Sequence, residues 1–427
     1  MSLPRYREYK DSGVPWIGDV PAHWRISPLK RQARLLTEKA DSRRMPIALE
    51  NIEGWSGRFI ETEGDFLGDG VAFSANDILF GKLRPYLAKV FLAAQEGEAV
   101  GDFHVLRPDA GLIPRYAQYQ MLQRQFIDVI DGSTFGSKMP RASWESLGGM
   151  PFVVPQVEEQ GAIAAFLDRE TAKIDALIAE QETLLALLAE KRQATISHAV
   201  TRGLDPGVPM KDSGIAWLGE VPAHWAVTPF RYCVKFQEGP GIMADDFLDD
   251  GVPLLRVSGV HGNWATLDGC NYLNPTRVAQ KWNHFRVELG DLLISASASL
   301  GTVCEVGPEV EGSIPYTGII RLKGIPGAMT KDYIRHFVVS GQFLRQIDLF
   351  KAGATIQHFG PTHLSQMIIA QPPLDEQAEI ASYLDEAASR CDMLTTQASS
   401  AIELLKERRS ALIAAAVTGK IDVRHAA

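Results

Sequence analysis

Cysteine is scarce in this chain of 427 residues. Its four cysteines (Cys233, Cys270, Cys304, Cys391) stand far apart with no Cys-x-x-Cys pair. That spacing excludes a disulfide framework and a cysteine-based zinc site, and it points to a reduced cytoplasm. Long apolar runs are missing too. Stretches such as Ala411–Val417 fall far short of a membrane span, so no membrane association is expected. The opening MSLPRYREYK has none of the apolar character of a signal peptide, again as expected of a cytoplasmic protein. Catalytic signatures are equally thin. Gly81-Lys82 and Gly419-Lys420 lack the upstream glycine and the following hydroxyl of a phosphate loop, and no G-x-G-x-x-G opens a strand-to-helix turn. The Asn/Asp-Pro-Pro-aromatic motif that holds a target base in amino-methyltransferases is absent. Glu8-Tyr9-Lys10 is the one acid-x-lysine match, without a partner acid far upstream. His358 and His363 have no third ligand nearby in sequence, and Ser297 and Ser299 sit outside any G-x-S-x-G elbow. No catalytic residue and no metal ligand are assigned, which favours a binding protein over an enzyme.

What is present is ordinary in bulk and unusual in arrangement. A hydrophobic content of 45% and a charged content of 22% are those of a soluble globular protein, and the length requires two or more domains. The net charge of −9 argues against strong non-specific DNA binding, which needs phosphate neutralisation. Its distribution weakens that objection. Residues 26–150 carry 15 Lys+Arg against 16 Asp+Glu, and residues 226–370 carry 12 against 13, so each of these stretches is nearly neutral and can present a basic face.

The chain repeats itself. KDSGVPWIGDVPAHW at residues 10–24 returns as KDSGIAWLGEVPAHW at 211–225, with 11 of 15 positions identical. A second pair begins with LGGMPFVVPQVEEQ at Leu147 and LSQMIIAQPPLDEQ at Leu364, and runs to AVTRGLD (199–205) against AVTGKID (416–422). The first pair is offset by 201 residues and the second by 217, so the stretches between them differ in length. A period near 200 is too long for a solenoid and describes two copies of a domain-plus-helix unit.

In the first tail, Ile163, Phe166, Leu167, Ile174, Leu177, Ile178, Leu184, Leu185 and Leu188 recur at spacings of three and four. The second repeats the stripe through Ile380, Tyr383, Leu384, Leu394, Ile402 and Leu405. These are amphipathic helices, uninterrupted by Pro or Gly from Ala162 to Val200 and stopped at Gly203. A helix of that length cannot bury its stripe alone. The two stripes are therefore expected to pair antiparallel, with packing of each helix on its own body as the other possibility. The bodies alternate short apolar runs with turns, as in Gly70–Ala93, and then turn helical over 111–130 and 333–350. The expected fold class is α+β: two β-rich globular domains joined by two long helices in an antiparallel coiled coil, with internal pseudo-two-fold symmetry. The expected boundaries are 1–150 and 206–367 for the bodies, and 151–205 and 368–427 for the shared helical regions.

The W-I/L-G-D/E-V-P-A-H-W openings, together with PQVEEQ (155–160) and PPLDEQ (372–377) before each long helix, resemble the specificity subunit of type I restriction–modification systems. The resemblance spans essentially the whole chain, with Gln156 and Val157 departing from the Pro-Leu pattern in the first copy. It implies two target recognition domains, each reading half of a split, asymmetric double-stranded DNA sequence, on a helical spacer. It implies two modification (methyltransferase) subunits as partners, with restriction (motor-nuclease) subunits as optional members. S-adenosylmethionine, ATP and Mg²⁺ would belong to the partners, with no cofactor on this chain. Base reading needs side chains at groove edges and phosphate contacts that set register. Two matching loops fit those needs: Gly132–Arg141, offering Ser133, Thr134, Lys138 and Arg141, and Gly353–Pro361, offering Thr355, Gln357 and His358. Either loop can equally be a glycine-rich turn capping a helix. The basic stretch Phe80–Lys89 adds Lys82 and Arg84 as body-specific readers or as a solvated strand edge, and its counterpart Ile294–Val306 has no basic residue. The repeated tryptophans read as packing anchors. Two other readings stay open: a stand-alone DNA-binding regulator or scaffold with an internal dimer, and a self-contained nuclease or methyltransferase with a cryptic site.

Overall fold

A computed structural model describes residues 4–39, 45–62, 70–136, 138–296, 302–351 and 359–424. The chain forms two compact units. Unit 1 comprises residues 1–182 with 399–427, and unit 2 comprises residues 183–398.

The repeated openings fold alike. In unit 1, Tyr9–Asp11 pairs antiparallel with Asp19–Pro21, and in unit 2 Met210–Asp212 pairs with Glu220–Pro222. Asp11 and Asp212 each accept the amide of the glycine two residues on (2.9 and 3.0 Å), which makes the same side-chain turn twice. Gly18 and Gly219 take φ of 70° and 67°, a conformation that explains why glycine follows the Trp-Ile/Leu pair in both copies. Trp24 and Trp225 are fully buried anchors, as their repetition suggested.

The bodies share the topology of one sheet, which their sequences hide. In unit 1 a four-stranded antiparallel sheet runs Ala33–Leu36, Phe103–Pro108, Ile78–Gly81, Val90–Leu92. In unit 2 the order Val234–Glu238, Ile319–Gly324, Leu292–Ser295, Val303–Glu305 repeats it: first, fourth, second, third along the chain. A short strand closes each body against the shared tail, with Arg25–Pro28 on Pro151–Val154 and Ala226–Pro229 on Ile368–Gln371. Each stretch expected to be one helix is two. Unit 1 has Pro114–Met121 and Arg124–Gly132, and unit 2 has Lys331–Phe337 and Gly341–Lys351. The breaks are local: Gln123 takes extended dihedrals and caps the next helix, while buried Ser340, just before Gly341, donates its hydroxyl to the Phe337 carbonyl (2.6 Å).

The long helices run Val157–Arg202 and Leu374–Val417, and each unit contains a segment of both. In unit 1, Ile163, Phe166 and Leu167 share a core with Ile413, Ala416 and Val417, and Asp175 pairs with Arg409 (2.9 Å). In unit 2, Ile196, Ala199 and Val200 share a core with Ile380 and Leu384, and Arg192 pairs with Asp392 (2.5 Å). The start of one helix therefore lies beside the end of the other, and the segments are antiparallel within each unit. The stripes also pack on the bodies, since Trp24, Tyr116 and Phe152 belong to the first of these cores and Trp225, Tyr333 and Phe337 to the second. Both packings expected from the sequence occur together. No described helix is long and apolar enough to cross a membrane.

Candidate nucleic-acid interface

The paired signatures, the Ala-His-Trp opening and the Glu-Gln of the tail, meet in space. Gln160 is fully buried. Its Nε2 donates to the carbonyls of Gly111 (3.0 Å) and Pro155 (3.0 Å), and its Oε1 accepts from the Ile113 amide (2.8 Å). Gln377 does the same in unit 2, donating to Ala328 and Pro372 (both 2.9 Å) and accepting from Thr330 (2.9 Å). One carboxamide thus satisfies three backbone groups and ties the start of a long helix to the loop before the first body helix, a role an apolar side chain cannot fill. Beside it, His23 contacts Glu159 (3.0 Å) and His224 contacts Glu376 (2.8 Å). These residues form framework, and they fix where the divergent loops sit.

In unit 1 two separately predicted stretches converge. Strands Ile78–Gly81 and Val90–Leu92 form a hairpin, so Lys82–Lys89 is its connection. Arg84 donates its amide to the Pro140 carbonyl (2.8 Å), Leu83 bridges to Arg141, and Ala142 donates to the Lys82 carbonyl (2.9 Å). Phe135 in turn pairs with Arg141, closing the second loop on the first. Both stretches thereby line one edge.

The candidate side chains on that edge are not equivalent. Arg84 and Lys138 are exposed and free to meet a polyanion. Arg141 holds Asp102 through two hydrogen bonds (Nε and Nη2, both 3.0 Å), and Lys82 approaches the same carboxylate at 3.9 Å. Asp102 therefore orients two cations and partly neutralises them, a role that sequence reasoning missed. Ser133 donates to the Ile130 carbonyl and Thr134 to that of Asp131 (both 2.8 Å), so both hydroxyls finish the helix Arg124–Gly132 while their lone pairs remain available. Thr355, Gln357 and His358 lie outside the described residues.

A second missed pair sets the base of each variable hairpin. Asp77 is buried, accepts the Ser74 amide (2.8 Å) and is gripped by Arg107 (2.7 and 2.8 Å), just before strand Ile78–Gly81. Asp291 accepts the Glu288 amide (2.8 Å) and faces Arg321 (3.6 Å) and Lys323 (3.8 Å), just before Leu292–Ser295. The signal was legible as Asn-Asp-Ile-Leu-Phe against Gly-Asp-Leu-Leu-Ile. Among the described residues no group of His, Cys, Asp and Glu could hold a metal ion. Burial pushes the thiols of Cys233 and Cys304 up to about 11 and about 12, which makes them poor nucleophiles.

Residues 255–404 match the family described as type I restriction modification DNA specificity domain. The chain is 25% identical over 215 residues to the type I restriction enzyme EcoKI specificity subunit of Escherichia coli (strain K12), covering 48% of this chain and 44% of that protein. It is 21% identical over 303 residues to the MjaVIII specificity subunit of Methanocaldococcus jannaschii, covering 69% and 68%. The match thus spans under half of the bacterial relative. Among solved structures, a chain from work on complex assembly and conformational transition of the type I R-M system superposes with a TM-score of 0.69 at 17% identity, covering 93% of this chain and 98% of that one. The HsdS subunit from Thermoanaerobacter tengcongensis gives 0.53 at 15%, covering 94% and 98%. At these identities the structural likeness establishes the fold alone.

Proposed function

We propose that this chain is the DNA-specificity subunit of a type I restriction–modification complex. The observation that carries the reading is the contrast within each unit. A repeated framework of Gln clasp, buried tryptophan and helix segments supports bodies that share one four-stranded sheet and whose edge loops differ in length and charge. That is what a molecule needs if two readers on one scaffold are to recognise unlike half-sites. In this reading residues 1–150 and 206–367 are the target recognition domains, and 151–205 and 368–427 form a coiled-coil spacer that sets the distance between half-sites, each met on one face of the duplex. Lys82, Arg84, Ser133, Thr134, Lys138 and Arg141 serve the first half-site, and Thr355, Gln357 and His358 the second.

The chain recognises and scaffolds, and its partners do the chemistry. Two modification subunits dock on the shared regions, where Leu184, Leu187, Met393 and Leu394 stand exposed on the helix segments of unit 2. Restriction subunits join where the system cuts. S-adenosylmethionine, ATP and Mg²⁺ bind on those partners, in the cytoplasm. Long-read mapping of N6-methyladenine in the source genome, with and without the gene, tests the reading. One split motif should lose methylation in the deletion strain. An unchanged map with the methyltransferase partner expressed would overturn the proposal and leave a DNA-binding regulator.

A further inference from the structure

The edge of unit 1 carries more than cations. Phe135 is 62% exposed and Met139 50%, both in the loop closed by the Phe135–Arg141 pairing (Phe135 amide to Arg141 carbonyl 3.3 Å, the reverse 3.1 Å). Tyr86, 47% exposed, stands on the neighbouring turn Pro85–Leu87, which the Arg84 amide ties to Pro140. Three large apolar side chains on one edge are costly to leave in water.

The turn beneath them is strained. Arg84 and Ala88 have φ of 50° and 48°, in the left-handed region that non-glycine residues avoid. The conformation is held by amide bonds from Leu87 to Arg84 (3.0 Å), Ala88 to Pro85 (2.8 Å) and Trp55 to Ala88 (3.0 Å). Strain held in place by its surroundings is a mark of a functional element. The chemistry of the occupant follows from the charges. Phe80–Lys89 and Gly132–Arg141 together hold five cations (Lys82, Arg84, Lys89, Lys138, Arg141) and no acid of their own, with Asp102 reaching in to Lys82 and Arg141, while the rest of residues 26–150 is net acidic, 10 Lys+Arg against 16 Asp+Glu. An apolar tip flanked by cations matches a polyanion with stacked apolar planes inside it, namely duplex DNA.

We propose that Phe135 and Met139 form a wedge that enters between adjacent base pairs of the half-site bound by unit 1, while Arg84 and Lys138 hold the flanking phosphates. The inference rests on the DNA-reading function proposed above and adds a mode of readout. Part of the specificity of unit 1 then comes from how easily one base step unstacks, at a position where no side chain needs to reach a base edge.

The test uses the full chain assembled with its methyltransferase subunits, and duplexes bearing the motif found by methylation mapping. 2-Aminopurine is placed in turn at each position of the unit 1 half-site. Binding of the wild-type complex is expected to raise fluorescence at one step. The double variant F135A/M139A should abolish that rise and weaken binding about tenfold or more, the size of a lost stacking contact. F135L/M139L should keep both. K138A should lower the salt dependence by about one counterion and leave the fluorescent step intact. Tight wild-type binding with no fluorescent step, or unchanged binding by F135A/M139A, overturns the wedge and leaves the DNA-reading function standing. Failure of F135A/M139A to assemble with the methyltransferase subunits on gel filtration, with F135L/M139L assembling normally, assigns the edge to a protein partner and also overturns it. A wild-type complex that binds no motif duplex removes the function and the wedge together.

Discussion

In unit 1, Asp168 of the first long helix accepts from Tyr119 (2.7 Å) and from Arg115 (2.6 Å). In unit 2, Asp385 occupies the equivalent place on the second long helix and is met by His336 (3.0 Å) and Arg335 (2.9 Å). One buried tyrosine is kept in both units. Tyr116 donates to the carbonyls of Val153 (3.0 Å) and Val417 (3.4 Å), and Tyr333 to that of Val200 (3.1 Å). The ion pairs between helix segments are mates as well. Arg409–Asp175 and Arg192–Asp392 are the same two positions moved by the 217-residue offset, yet their settings differ. The first pair is 12% and 17% exposed and its arginine also reaches the Trp55 carbonyl (3.0 Å), whereas the second is 44% and 61% exposed. The two units therefore hold the geometric role of a position constant while its chemistry and burial drift.

That contrast can be broken by experiment, with the largest effect at the ion pairs. R409A should destabilise unit 1 by about 3 kcal/mol, because it strands a largely buried carboxylate. R192A should cost unit 2 less than about 1 kcal/mol, as exposed pairs do. Hydrogen exchange resolved by unit measures both, and equal losses would show that burial does not separate them. The tryptophans come next. Trp225 Nε1 donates to Glu376 (2.9 Å), while Trp24 Nε1 is buried and has no hydrogen-bond partner among the described residues. W225F should therefore cost about 1–2 kcal/mol more than W24F, read from the same exchange profiles. Similar costs for both would mean that packing alone decides.

The smallest effect is in pH. Burial holds the pKa of His336 below its ordinary value, against the pull of Asp385. The neutral ring is favoured in the fold, so its contribution is complete above about pH 6.5, the value in the unfolded chain, and is lost as pH falls through the lower folded value. H336Y, which copies Tyr119, should make unit 2 less sensitive to that fall. Unit 1 should keep its own sensitivity through His104, whose pKa burial and Lys82 also lower. No change in the acid limb of unit 2 would count against His336.

The sequence made the framework legible because its parts are short, local and repeated: the Asp-x-Gly turn, the tryptophan anchors, the apolar stripes and the Glu-Gln pair. It located the repeat in the openings (10–24 and 211–225) and from Leu147 and Leu364 onward, whereas the Tyr116–Tyr333 and Asp77–Asp291 correspondences lie inside the divergent bodies. Those depend on register across strands and on a helix meeting a distant carbonyl, contacts that leave a lone tyrosine in one case and a short Asp-Ile/Leu-Leu run in the other. At the candidate interface, residue type named Lys82 and Arg141. It could not foresee that Asp102, remote in sequence from both, would claim them, nor that Gly132–Arg141 and Phe80–Lys89 would share an edge.

The division of the chain also sets which residues must be present before each unit can close. Unit 2 is one continuous stretch, residues 183–398, and can close as soon as that stretch has left the ribosome. Unit 1 is begun first and completed last. Its core includes Ile413, Ala416, Val417 and Val423, its opening receives the Asp422 amide at the Pro4 carbonyl (2.8 Å), and Tyr9 donates to the Gly419 carbonyl (3.0 Å). Unit 1 therefore needs the last residues of the chain to complete its core, whereas unit 2 needs none of them.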